Sequence, residues 1–144
     1  MSAQIRLTVS ADEIDAALAV RREVFIDEQG VSEDEELDGR DDAALHLIAI
    51  EPDGRILATC RLLAAGPTIK LGRVAVVQSA RRRGLALDLL RAADPYARTL
   101  GGERIVLAAQ TYALSLYERA GYAVTSDVFL DAGIEHVWME KRLG

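Results

Sequence analysis

Cysteine is nearly absent from this chain: Cys60 stands alone among 144 residues, which rules out an internal disulfide. A single free thiol fits a reducing compartment, and Cys60 reads as a small core residue on a strand rather than a nucleophile. Histidine is almost as scarce. His46 and His136, even taken with Cys60, show no recognised metal-ligand spacing, so neither a zinc site nor metal chemistry is expected. No stretch reaches the ~20 apolar residues that a membrane-crossing helix needs. The opening Met1-Ser-Ala-Gln-Ile-Arg6 lacks the apolar segment of a signal peptide, so a cytoplasmic protein without a membrane partner is expected. The Gly-Lys-[Ser/Thr] of a P-loop and the G-x-G-x-x-G of a dinucleotide fold are missing too, which argues against a nucleotide triphosphatase and a Rossmann enzyme. Positive charge is in deficit. A net charge of −6 does not suit a nucleic-acid partner, because such proteins gain most of their affinity by neutralising phosphates.

What the chain does have is apolar residues, which make up 50% of it and suffice for one domain over residues 1–144 with a substantial core. Its most informative stretch runs from Gly72 to Ala86. Val74 to Val77 reads as a buried strand, Arg81, Arg82, Arg83 and Gly84 form a basic turn, and helical spacing begins at Leu85. The free amides of a helix's first turn carry partial positive charge, and Gly84 and Ala86 are small enough to let that backbone approach an anion closely. Acidic residues are concentrated between Asp27 and Asp42, opposed only by Arg40. Such a segment fits a cationic acceptor and equally fits a solvated loop.

Around that stretch the elements follow in order. Ile5 to Val9 alternates as a strand, and Ser10-x-x-Glu13 is a capping box opening a helix to about Asp27 with Ile14, Ala17, Leu18 and Phe25 on its apolar stripe. Arg21 falls on the same stripe. Its guanidinium either meets a carboxylate of the acidic loop or snorkels to solvent. Leu45 to Ile50 and Ile56 to Leu63 flank the turn residues Pro52-Asp53-Gly54 and form a hairpin. A strand over Ile69 to Val77, a helix from about Gly84 to Leu100 bent or interrupted at Pro95, a strand over Arg104 to Ala109 and a helix over Tyr112 to Arg119 come next. Ala123 to Leu130 and Ile134 to Glu140 close the chain as a hairpin. The result is an α/β (α+β) fold with a mixed sheet and helices on both faces.

Arg81-x-x-Gly84-x-Ala86 matches the Q/R-x-x-G-x-G/A pattern of GNAT superfamily N-acetyltransferases, and Leu116-Tyr-Glu-Arg-Ala-Gly-Tyr122 after Ala109-Gln110 is similar to their second landmark. With Val24 to Gln29, His46 after an acidic loop, and Asp131-x-Gly133-Ile134-x-His136, the chain resembles the ElaA-like branch over essentially its whole length. That resemblance implies a GNAT fold of six to seven strands with a V-shaped cleft between the two central ones. It implies acetyl-CoA as acyl donor, with Val74, Ala75 and Val76 along the pantetheine arm and Arg81, Arg82, Arg83, Gly84, Leu85 and Ala86 at the pyrophosphate. Gln110 stands where the family often has asparagine, and either fixes its helix or touches CoA.

Direct transfer of an acetyl group to a primary amine, on a small molecule or on a peptide, needs an acid for the departing sulfur and a base for the incoming ammonium. The resemblance places Tyr117 beside the sulfur. A phenol and a thiol differ by only about 1.5 pKa units, so a proton or hydrogen bond can pass between them with little tuning. Glu28 and His46 are the base candidates, with His136 behind them. His136 and Trp138 share one face of the last strand, where they line an acceptor pocket or only pack. An acyl-CoA-binding sensor with little transfer activity is the alternative reading, and the sequence does not decide between monomer and homodimer.

Overall fold

The computed structural model describes residues 3–144, starting with β1 (Gln4–Leu7) and α1 (Ala11–Arg21). Ser10 caps α1, its hydroxyl accepting from the Glu13 amide at 3.2 Å. Glu13 does not return the bond to Ser10, as a full capping box would. Its carboxylate accepts instead from the Val9 amide at 2.8 Å and from both arms of Arg6 at 2.8 and 2.7 Å, so the same residue ties the helix start to β1.

The helix expected to reach Asp27 changes its winding at Arg22 and continues as a π-helix over Arg22–Glu28, with the Gln29 amide bonded to the Val24 carbonyl five residues back. Wide turns of this kind are rare and concentrate at functional sites. Here the extra residue per turn brings Phe25, Glu28 and Gln29 onto the cleft described below. The acidic segment then folds into a single turn, α2 (Glu33–Glu36), and a 3₁₀ turn over Asp41–Ala43.

The remaining elements are β2 (Leu45–Ile50), β3 (Ile56–Ala65), β4 (Thr68–Val76), α3 (Leu85–Thr99), β5 (Arg104–Gln110), α4 (Leu114–Arg119), β6 (Ala123–Val124), β7 (Phe129–Asp131) and β8 (Ile134–Arg142). They build one mixed sheet in the order β1-β2-β3-β4-β5-β8-β6, with β7 also on β8. The count is eight rather than six to seven because the segment read as one strand from Ala123 to Leu130 is broken. Its halves pair with opposite ends of β8, Ala123 with Glu140 and Phe129 with His136, so the sheet is still seven strands wide.

Helices cover both faces. Leu89, Leu90, Ala93 and Ala97 of α3 pack on Leu47, Leu62, Leu71, Ile105 and Leu107, while Ala17, Val20 and Val24 cover Ile48, Ile56 and Ala75 on the other side. Pro95 does not interrupt α3, which runs on to Thr99. One intrahelical donor is lost there, but Ala93 and Ala97 on either side are fully buried and hold both turns in place.

Two irregularities of β4 create the cleft. β4 and β5 run parallel and pair only through Thr68 to Lys70 with Arg104 to Val106, after which they separate. On its other edge, the pairs Arg61–Gly72 and Thr59–Ala75 set two steps of β3 against three of β4. The extra residue is a β-bulge, and Arg73 within it has φ +56°, a left-handed conformation that a non-glycine residue keeps only when its surroundings enforce it. Past Lys70 the edge of β4 facing β5 therefore has no strand partner, which exposes main-chain donors and acceptors to whatever lies in the V.

Candidate active site

The V opens into a cleft of about 730 Å³. Of the residues expected at the site, Glu28, Val74, Val76, Arg81, Arg82, Gly84, Leu85, Ala86, Gln110 and Tyr117 line it, and so do His136 and Trp138. Three are not brought there. Ala75 points from β4 into the core beneath α1 and is 2% exposed. Arg83 turns away toward Glu51, at 3.6 Å. His46 is 3% exposed, with Nε2 at 2.9 Å from the Asp41 carbonyl oxygen, which makes Nε2 the protonated nitrogen and His46 a brace for the acidic segment.

At one end of the cleft, Gly84 is the N-cap of α3 with φ +76°, and no side chain caps the helix. The first intrahelical bond runs from the Asp88 amide to the Gly84 carbonyl at 3.0 Å, so the amides of Leu85, Ala86 and Leu87 lie ahead of it without helical partners. A Cβ at Gly84 would meet nothing within 4 Å. Arg82, also at positive φ, stands beside those amides. An uncapped helix start with an adjacent free guanidinium suits a diphosphate, so the residues present fit the head of coenzyme A.

Arg81 is engaged differently. It donates to both oxygens of Glu28 at 2.6 Å and to the Val76 carbonyl at 3.1 Å, tying the basic turn to the end of the π-helix. The same arginine holds the Glu28 carboxyl below the usual carboxylate range, which weakens Glu28 as a base. Close by, Gln110 donates to the Gln29 side chain at 3.0 Å, so this glutamine bridges the end of β5 to the same segment.

Tyr117 sits deep, 8% exposed, its ring edge-on to Tyr122 at 6.4 Å. Its hydroxyl makes no hydrogen bond among the described residues and is not sealed off, so it opens on the cleft. Burial pushes its pKa well above the ordinary value, and the phenol keeps its proton throughout the neutral and mildly alkaline range. His136 has Nδ1 at 2.7 Å from the Ile134 carbonyl oxygen, which can only accept. Nδ1 therefore carries the proton in the neutral ring, and Nε2 is left with a free lone pair.

The acidic segment is not a free anionic surface. Arg21 bonds Glu36 at 2.9 Å and Asp41 at 2.6 Å, Arg61 bonds Asp38 and Asp41, and Arg73 bonds Glu36 at 3.0 Å. Arg21 and Glu36 are 1% and 2% exposed. Three of its carboxylates thus hold three arginines, while Asp27, Asp34, Glu35 and Asp42 are exposed and have no cation partner among the described residues. Arg21 found its partner as its place on the apolar stripe required; Arg61 and Arg73 were missed. Their signal was an arginine among the buried apolar residues of each of two strands.

This network makes the segment sensitive to acid. The Arg61 guanidinium holds Asp38 well below the carboxylate range, and at Asp41 burial alone would raise the pKa but the bonds from Arg21 and Arg61 outweigh it. Both folded-state values lie below the unfolded value of about 3.9. Their contribution to stability is therefore complete above pH ~4 and is lost as pH falls through the folded-state values. Urea midpoints measured from pH 7 to pH 3 should fall below pH ~4, and should fall less in Asp38→Asn. Glu36→Ala, which leaves two arginines short of a buried partner, should cost about 3–5 kcal/mol in the same assay at pH 7.

A parallel pair of central strands that separate at a bulge, with a glycine-started helix after the first, defines a GNAT fold. The profile of the acetyltransferase (GNAT) domain matches residues 8–143. The uncharacterized N-acetyltransferase YjcF of Bacillus subtilis is 34% identical, with 90% of this chain and 93% of that protein covered. Among solved structures, an acyl-CoA N-acyltransferase from Pseudomonas aeruginosa is 31% identical and superposes with a TM-score of 0.84 over 97% of this chain and 99% of that one. Escherichia coli ElaA, at 22% identity, has the same fold, with a TM-score of 0.83 over 96% and 100%. The chain belongs to the GNAT acetyltransferase family and is an acyltransferase.

Proposed function

We propose that this protein is an acetyl-CoA-dependent N-acetyltransferase that moves an acetyl group directly to a primary amine within a ternary complex. The observation that carries this reading is the placement of the uncapped start of α3, the unpaired edge of β4 and the Tyr117 hydroxyl along a single cleft. When bound, acetyl-CoA supplies the thioester, and coenzyme A leaves as the thiol. The amides of Leu85 to Leu87 and the Arg82 guanidinium hold its diphosphate, and the free edge around Val74 and Val76 pairs with the pantetheine amides.

Tyr117 Oη keeps its proton and donates a hydrogen bond toward the sulfur. Burial widens the pKa gap to a thiol beyond the roughly 1.5 units of the free groups, so this phenol stabilises developing negative charge rather than giving its proton away. His136 Nε2 is the acceptor best placed to take a proton from the incoming ammonium, directly or through water. Glu28 serves the site by holding Arg81. His136→Gln should lower kcat by about 10²-fold at pH 7 while leaving the Kd for acetyl-CoA unchanged. An unchanged kcat would assign that proton to solvent. Release of free thiol from acetyl-CoA in the presence of amines tests the function itself, and binding without release would favour an acyl-CoA sensor.

A further inference from the structure

Five cationic side chains line the cleft: Arg61, Lys70, Arg73, Arg81 and Arg82. Arg61, Arg73 and Arg81 each hold carboxylates, and Arg82 stands at the start of α3. Lys70 is left. It is exposed, it lies at the closed end of the V where β4 last pairs with β5, and it has no carboxylate partner among the described residues. Along β4 it is six residues from Val76, roughly 20 Å from the diphosphate end, so it is not part of that site.

Its surroundings form a wall. The Lys70 ammonium stands 5.5 Å from the centre of the Trp138 ring, Trp138 stacks on Phe129 at 5.6 Å, and Phe129 stacks on His136 at 5.9 Å. Trp138 is 36% exposed, and all three rings line the cleft. A ring face holds a cation more weakly than a carboxylate does, so Trp138 positions the ammonium without satisfying it. Three of the five lining carboxylates are already neutralised. Glu28, Glu36 and Asp38 are engaged by arginines, and those without a cation partner among the described residues, Glu35 and Asp131, are both exposed.

The geometry points to an acceptor that carries a carboxylate as well as its amine, on a flat or apolar body that lies against Trp138 and Phe129, with the carboxylate on Lys70. This rests on the transfer reaction proposed above and names its acceptor class. A dicationic amine fits poorly, because it would bring positive charge against Lys70 while most of the lining carboxylates are occupied.

The test compares primary amines that differ by a carboxylate, tryptophan against tryptamine and 4-(aminomethyl)benzoate against benzylamine, by thiol release from acetyl-CoA. Wild type should favour the carboxylate-bearing member by about tenfold or more in kcat/KM. Lys70→Met should abolish that preference with the KM for acetyl-CoA unchanged, Lys70→Arg should retain it, and Trp138→Ala should weaken both members of each pair. Absence of the preference, its survival in Lys70→Met, or coenzyme A binding with no transfer to any of the four amines would overturn the assignment while leaving the coenzyme site intact. Failure to bind acetyl-CoA in calorimetry would instead remove the transferase reading and this inference with it.

Discussion

A Gly84→Glu variant is expected to lose acetyl-CoA affinity by about 100-fold or more. Two effects combine there, and they can be separated. Gly84 has φ +76°, so any side chain adds left-handed strain of about 1–2 kcal/mol to the folded chain. Nothing lies within 4 Å of where its Cβ would be, so the substitution meets no steric block in the free protein. A carboxylate placed there faces the diphosphate site on the amides of Leu85 to Leu87. At about 5 Å and an effective dielectric of 20, each pair of like charges costs about 3 kcal/mol, or roughly two decades of affinity. Gly84→Ala carries the strain without the charge and should lose less than about tenfold. Calorimetric titration with acetyl-CoA, alongside thermal unfolding of both variants, separates strain from repulsion. Equal affinities for the Glu and Ala variants would place the diphosphate somewhere else.

Tyr117→Phe is expected to lower kcat by about 10²–10⁴-fold while the Kd for acetyl-CoA stays within about twofold. The change removes one oxygen that has no hydrogen bond among the described residues and leaves the ring against Tyr122 in place, so the melting temperature should hardly move. Because burial raises the Tyr117 pKa, the phenol stays protonated well above pH 9, and wild type should show no alkaline decline attributable to it up to that pH. A kcat unchanged in the Phe variant would mean that the charge on the departing sulfur is stabilised by a group other than Tyr117.

Much of this site was readable from the chain. Gly84 after three arginines marked the start of α3, because the requirement there is local: amides that precede the first intrahelical bond and a residue without a Cβ. Tyr117 was readable in the same way, fixed relative to Gly121 by one helical turn. Arg21 was partly readable, since a guanidinium on an apolar stripe demands a partner, although the identity of Glu36 and Asp41 was not. His46 shows how this reasoning misleads. Alternation placed it correctly on a strand, yet periodicity cannot say which face of a sheet receives a cleft and which receives a brace. The aromatic wall was half visible in His136 and Trp138. Phe129 joins it only through the register of β7 on β8.

The sequence by itself determined the order of elements, the basic turn and the family, because these depend on spacing along the chain and on main-chain chemistry within a few residues. Only the tertiary structure decided the pairing of charges and the place of Lys70 beside Trp138. Arg61 and Arg73 lie on β3 and β4, twenty or more residues from the carboxylates they hold, and Lys70 stands out only once every other cation in the cleft has been assigned a partner or a place. Coulombic matching depends on distance in space, and the bulge in β4 and the separation of β4 from β5 set those distances.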